Sequence, residues 1–347
     1  MIISPRSVLI TATLMAASAA ASGSTDLSIH HGDSGIDLSW ATLPGIYYAI
    51  EKSTSLQAWE TVQSGILAEG NSAARTVPEP ADYPVFYRIR DNAFVDLATP
   101  ANAQPFLANP TGDNWVLEFS DEFNGTEVDT TKWTINISTR SRAARPTQGI
   151  NDWWWKPSNV SVANGVLVLD VIKHDHNTMY CGSIYSKGKY EPTYGYLEAR
   201  IQIADTTKST HTAFWLQGEN MSNVDGTGND GAEVDIFESA WFGDYTKSVV
   251  HIDGYGSAHK ANTKKYNTPG LHNGYHVFGL EWNASGMKIY YDGVLKVSYT
   301  GIWVPQVPEF LWLSDGASFG DVGTFTSEPN GWLTAAKVDY VRVWRSR

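Results

Sequence analysis

Residues 231–239 read GAEVDIFES. Three carboxylates, Glu233, Asp235 and Glu238, fall within six positions, and every residue between them is apolar. The β-branched and aromatic spacers predict a strand. Side chains of a regular strand alternate between its two faces, so Glu233 and Asp235 share one face and Glu238 lies on the other. A β-bulge between Asp235 and Glu238 adds one residue to the strand and returns Glu238 to the face of its neighbours. The stretch therefore predicts a bulged strand with an acidic face lining a cleft.

Such a carboxylate pair suits a retaining glycosidase, in which one acid attacks the anomeric carbon and the other protonates the leaving oxygen across about 5–5.5 Å. Three crowded acids do not all ionise freely, so one keeps its proton to a higher pH and serves as the acid. Asp235, between the pair, is placed to share a proton with the nucleophile and orient it. The pattern alone also occurs on solvated strand faces and in calcium loops. The apolar spacers Val234, Ile236 and Phe237 argue against a loop metal site.

Outward from this strand, residues 113–347 carry aromatic-rich alternating segments separated by Gly and Asn turns. Examples are NVSVANGVLVLDVIK (159–173), YGYLEARIQIA (194–204), HTAFWLQG (211–218), KSVVHIDGYG (247–256) and AAKVDYVRVW (335–344). Period-two alternation without a sustained helical stripe predicts an all-β, large antiparallel β-sandwich. Residues 26–92 predict a second, small β-sandwich module, in which Ile36, Leu38 and Trp40, then Ile46, Tyr48 and Ile50, then Tyr87 and Ile89 alternate with polar positions. It resembles the short fibronectin-like units that accompany secreted bacterial enzymes. Residues 93–112, rich in Ala, Pro and Asn, read as a linker.

The first 22 residues read as a secretory signal peptide: Arg6 begins it, Val8–Ala17 is the apolar run and Ala17–Ala21 offers the cleavage site. The run is short for a membrane span, so the expected destination is extracellular or periplasmic, secreted or on the cell surface. A formal net charge of −12 provides no basic surplus to neutralise phosphates, which argues against nucleic acid as a partner. The single cysteine, Cys181, excludes an intrachain disulfide and reads as a small buried hydrophobe. A monomer is expected.

Residues 112–347 resemble glycoside hydrolase family 16. The matches run in order through FSDEFNG (119–125), NVSVANGVLVL (159–169), GSIYSKGKYEPTYGYLEARI (182–201), AFWL (213–216), EVDIFE (233–238), His251, HVFGLEW with YYDG (276–293) and VDYVRVW (338–344). The resemblance implies a jelly-roll fold, with Glu233 as nucleophile, Glu238 as general acid/base and Asp235 assisting. The six-residue spacing matches the bulged branch, which includes laminarinases, agarases, porphyranases and carrageenases. The resemblance also implies a structural calcium ion at Glu122, Gly165 and Asp339, held partly by backbone oxygens, and no cofactor for catalysis.

Substrate residues are expected among the aromatics. Trp153, Trp154 and Trp155 are consecutive and cannot all face a core, so at least one is a candidate platform for a pyranose ring. Trp215, by the resemblance, lies near the cleaved bond, and Trp241 follows the acids. His251 is placed either to hydrogen-bond the sugar or acids or to act structurally. Trp115, Trp133 and Trp344 read as packing. Arg140, Arg142 and Arg145 in STRSRAARPTQG form either a solvated loop or a clamp for sulfate or carboxylate oxygens. Laminarinases of the family carry a Trp-Pro pair before AFW, whereas this chain has His211-Thr212.

The expected function is a secreted, endo-acting, retaining hydrolase of a β-linked polysaccharide, leaning to an algal-type β-galactan. The alternatives are an endo-β-1,3-glucanase and a non-catalytic carbohydrate-binding protein.

Overall fold

The computed structural model describes residues 115–346 without interruption and, before them, 11–12, 27–32, 34–42, 47–55, 60–68, 70–80, 84–92, 94–96, 98–100 and 102–108. Apart from Thr11–Ala12, which pair in parallel with Phe86 and Tyr87, the signal-peptide segment lies outside the described residues. The described residues form strands and three-residue 3-10 turns, with no α-helix. No helix among them is long and apolar enough to cross a membrane.

The chain divides into two compact units, Met1–Leu97 and Ala98–Arg347. In the first, one sheet contains Tyr47–Ser53, Glu60–Leu67 and Phe86–Asn92, and a second contains Ser28–Gly32, Gly35–Ala41 and Ser72–Val77. Ile36, Leu38, Trp40, Tyr48, Ile50, Tyr87 and Ile89 form its core, as their alternation predicts. Ile46 lies outside the described residues.

The second unit is a jelly-roll sandwich. Its seven-stranded sheet runs in the order Lys260–Asn267, Tyr245–Ile252, Glu233–Ser239, Thr212–Gly218, Glu309–Ser314, Ser183–Tyr185 and Thr134–Ile135. A ten-stranded sheet packs behind it, with the long strand Gly331–Ser346 between Val166–Lys173 and Gly195–Gln202. Phe237, on the first sheet, stacks on Phe278 of the second with ring centroids 3.7 Å apart, and both are fully buried. Trp133 and Trp344 are also fully buried and Trp115 nearly so, consistent with packing roles. Cys181 is buried, and burial pushes its thiol well up.

Part of the stretch expected to be a linker belongs to the second unit. Thr99 Oγ1 donates to Glu122 Oε1 at 2.6 Å, and Phe106 N–H donates to Glu198 Oε2 at 2.8 Å. Ala103 and Leu107 pack on a cluster of Trp115, Tyr196, Tyr290 and Trp344. The Ala/Pro/Asn composition of the segment carries no period, so its docking was invisible before the aromatic cluster it covers was assembled.

Candidate active site

The acid strand Glu233–Ser239 lies between Thr212–Gly218 and Tyr245–Ile252. Against the latter, Asp235 pairs with Val249 and Glu238 with Lys247, so two residues of the acid strand oppose the single Ser248. Against the former, Phe214 pairs with Phe237 and Trp215 with Asp235, leaving Ile236 as the extra residue. This is the expected bulge. It sends Val234, Ile236 and Phe237 into the apolar interior and sets Glu233, Asp235 and Glu238 along one cleft of about 590 Å³.

Each acid has its own partner. The Tyr255 hydroxyl donates to Glu233 Oε1. Burial pushes the Glu233 carboxyl up to about 7; the Tyr255 hydrogen bond opposes this, nearby Glu238 adds to it and Arg142 opposes it. Asp235 is buried deepest of the three, and burial together with the charges of Glu238 and Glu233 pushes its carboxyl well up. His251 Nε2 lies 3.5 Å from Asp235 Oδ2, while its Nδ1 is 2.8 Å from His259 Nε2. Burial lowers the pKa of His251, with Glu238 opposing and His259 reinforcing that shift. Glu238 Oε1 is 3.2 Å from His211 Nε2. The constellation thus offers one carboxylate held by a hydroxyl, one deeply buried acid, and one carboxylate beside an imidazole.

Trp215 stacks on Trp312 at 4.2 Å and an interplanar angle of 10°, and its indole N–H donates to Ser314 Oγ at 3.1 Å. Trp153 and Trp155 line the same cleft. The edge of Trp153 comes so close to Gly316 that a Cβ there would lie 3.0 Å from the ring. Arg142 places its guanidinium 3.9 Å above the Trp155 ring and 4.9 Å from that of Trp153. Burial of this guanidinium lowers its pKa, an effect opposed by Glu233. Arg145 also lines the cleft, while Arg140 lines an adjoining hollow that shares Arg142, Arg145 and Trp155 with it.

Two expected platforms are corrected. Trp154 alternates to the opposite face of its strand, where Lys156 Nζ lies 4.7 Å from its ring, and it is absent from the cleft lining. Trp241 is buried, stacked on Tyr245 at 5.5 Å with Lys247 Nζ over its ring, and is likewise absent from the lining.

The expected calcium ligands do not fit as a side-chain set. Glu122 receives Nε and Nη2 of Arg342, each at 2.8 Å, and Asp339 receives Arg200 Nη1 at 2.6 Å. A guanidinium therefore stands where each carboxylate would meet a cation. Gly165 is the second left-handed residue of the Asn164-Gly165 turn. The ligand atoms of Glu233, Asp235 and His251 do lie within 4.8 Å of one another, but these groups are the cleft acids themselves.

Sequence reasoning missed Tyr255, Trp312 and Phe319 as cleft residues, and it treated His211 only as a departure from a motif. Tyr255 sits in the turn after Tyr245–Ile252, and Trp312 gains its role only by pairing opposite Trp215. Neither fact follows from local spacing.

The GH16-domain family model of beta-porphyranases A–D matches residues 114–308. The chain is 27% identical to the kappa-carrageenase of Pseudoalteromonas carrageenovora over 284 residues, 70% of this chain and 68% of that protein. It is 28% identical to beta-porphyranase C of Zobellia galactanivorans over 297 residues, 69% of this chain and 82% of that one. Among solved structures, the endo-beta-1,3-glucanase of Pyrococcus furiosus superposes with a TM-score of 0.57 at 26% identity, covering 70% of this chain and 99% of that chain.

Proposed function

The chain belongs to glycoside hydrolase family 16, and from that premise we propose that it is a secreted, endo-acting, retaining hydrolase of a β-linked galactan bearing anionic groups. That it is a glycoside hydrolase acting on polysaccharide follows from the family and its carrageenase and porphyranase relatives. The observation that carries the finer reading is Arg142, whose guanidinium carbon lies 3.9 Å from the centre of the Trp155 ring in the cleft that holds the acids, with Arg145 in the same lining. The half-buried indoles of Trp215 and Trp312 in the same cleft suit the apolar side of a sugar, and a guanidinium fork donates to sulfate or carboxylate oxygens. One cleft therefore offers both surfaces that a charged galactan presents.

In the first step a Glu233 oxygen bonds to the anomeric carbon. The glycosidic C–O bond breaks, its electron pair stays on the leaving oxygen, and Glu238 gives that oxygen its proton. In the second step water attacks the same carbon, its proton passes to Glu238, and the bonding pair returns to the Glu233 carboxylate. Asp235, buried between the two, has its carboxyl pushed up by burial and by its acidic neighbours, which opposes a third negative charge in the cleft.

A reducing-end assay against agarose, porphyran, carrageenans, laminarin and mixed-linkage glucan tests this reading, with Glu233→Gln as control. Release from a sulfated galactan that disappears in the variant is the expected result. Release from laminarin alone would instead support the β-1,3-glucanase reading, which the likeness to the Pyrococcus enzyme favours.

A further inference from the structure

We propose that His211 is the positioning residue of the general acid/base: its Nε2 holds Oε1 of Glu238, leaving Oε2 as the oxygen that exchanges its proton with the leaving sugar and then with water. This rests on the assignment of Glu238 as acid/base given above. Nε2 and Oε1 are 3.2 Å apart, and the two side chains are 18% and 13% exposed, so little water competes for the contact. Among the described residues His211 is the only side chain in ion-pair or hydrogen-bond contact with this carboxylate. Nε2 has no other polar partner, although it is buried. The two atoms touch without an aligned hydrogen bond, a common state for catalytic contacts before substrate tightens them.

The ring is held from two sides. The backbone N–H of His211 donates to Gly316 O at 2.8 Å, and it lies 3.3 Å from Asp315 Oδ1. Asp315 Oδ2 accepts from Thr212 Oγ1 at 2.9 Å, which fixes the residue next in the chain. Phe319 packs edge-on to the imidazole with ring centroids 4.8 Å apart. His211 is thus a clamped side chain aimed at one oxygen.

Other charged groups face the pair. On its own strand Glu238 has Glu233 and Asp235, which line the same cleft. Lys247, in register opposite it, directs its ammonium over Trp241, and His251 on the same strand faces Asp235. Asp315 underlies His211, and Arg142 and Arg145 close the cleft from the loop. Of these groups Asp315 is the one that His211 also influences, so recovery in a variant that restores a donor at position 211 is needed to assign the effect to the contact with Glu238.

With Nε2–H as donor, His211 favours the ionised form of Glu238, the state left after the proton has moved to the leaving oxygen. The proton ledger of the two steps is unchanged, because His211 keeps its own proton throughout. Removing the donor makes Glu238 hold its proton to higher pH.

The test compares wild type with His211→Leu, which keeps bulk against Phe319 without a donor, and His211→Gln, which restores one. His211→Ala is the second donor-less variant should the leucine chain not fold. Each is assayed on the polysaccharide cleaved by wild type and on a 2,4-dinitrophenyl glycoside of its released oligosaccharide, with a leaving group that departs without protonation.

We expect His211→Leu to lose about 10- to 100-fold in kcat on the polysaccharide with KM nearly unchanged. The alkaline limb of its pH profile should move up, kcat/KM on the aryl glycoside, which reports the first step alone, should be kept, and His211→Gln should recover both the rate and the limb. Equal losses of kcat/KM on both substrates, an unmoved limb, or a raised KM at constant kcat would overturn the proposal. A wild-type protein that cleaves nothing in the panel would instead overturn the reading beneath it.

Discussion

Tyr255 and Glu233 meet through one hydroxyl, and that contact opposes the burial that raises the pH at which the nucleophile becomes available. Glu233 attacks only when ionised. Its carboxyl, pushed up to about 7 by burial, gains charge as pH rises through that value. The Tyr255 hydroxyl favours the charged form, so its removal should shift the acid limb of kcat/KM to higher pH. We expect Tyr255→Phe to lose about tenfold in kcat/KM near pH 6, the order of one hydrogen bond to a charged group on an exposed side chain, and to approach wild type at alkaline pH. A pH profile of both proteins checks this; an unmoved limb would mean the hydroxyl only closes the cleft. At this scale the sequence named all three acids, because carboxylates among apolar spacers stand out locally; Trp215 came from the family resemblance, and His251, Arg142 and Arg145, which also line the cleft, stood beside structural or solvated alternatives. It could not name Tyr255, since a tyrosine in a turn has no pattern of its own.

The bulged strand is the element on which the site depends. Phe237 sits at the bulge, is fully buried and stacks on Phe278 of the opposite sheet. Phe237→Ala removes that stack directly behind Glu238 and should cost about 3–5 kcal/mol in urea unfolding. It should also lower the kcat of the folded fraction, because the bulge loses the anchor that turns Glu238 outward. Phe119→Ala, in a buried stack with Tyr190 and Trp133 remote from the acid strand, should cost similar stability and leave kcat near wild type. If both variants lower kcat alike, the bulge is held by its backbone pairing alone. The tryptophan triplet shows the same logic from the other side. Strand alternation implies that Trp153 and Trp155 share a face and Trp154 does not; which face meets the cleft depends on the neighbouring strands.

Across the whole molecule, the boundary between the two units falls between Leu97 and Ala98. Residues 98–108 supply Ala103 and Leu107 over an aromatic cluster and the Phe106 N–H that binds the buried Glu198 carboxylate. A chain of residues 98–347 should therefore keep the stability of the second unit and its activity on soluble polysaccharide. A chain of residues 113–347 leaves that cluster uncovered and Glu198 short of a partner, and should melt lower by about 5–15 °C, as expected for a loss of a few kcal/mol in a domain of this size. Calorimetry of the two chains decides the matter; equal melting temperatures would mean the segment lies on the unit without supporting it.

The sequence by itself determined the all-β class, the division into a small and a large sandwich, the bulge and the three acids. Alternation, turn residues and a six-residue acid spacing are local quantities, and a strand expresses them wherever it is placed. Tertiary structure decided what local pattern does not encode. It placed Trp312 against Trp215 and His211 beside Glu238, and it turned Trp154 and Trp241 away from the cleft. It gave Glu122 and Asp339 to arginines 220 and 139 residues away in the chain. These outcomes depend on which strands pair and in what register, and that is fixed only when both sheets close over one core.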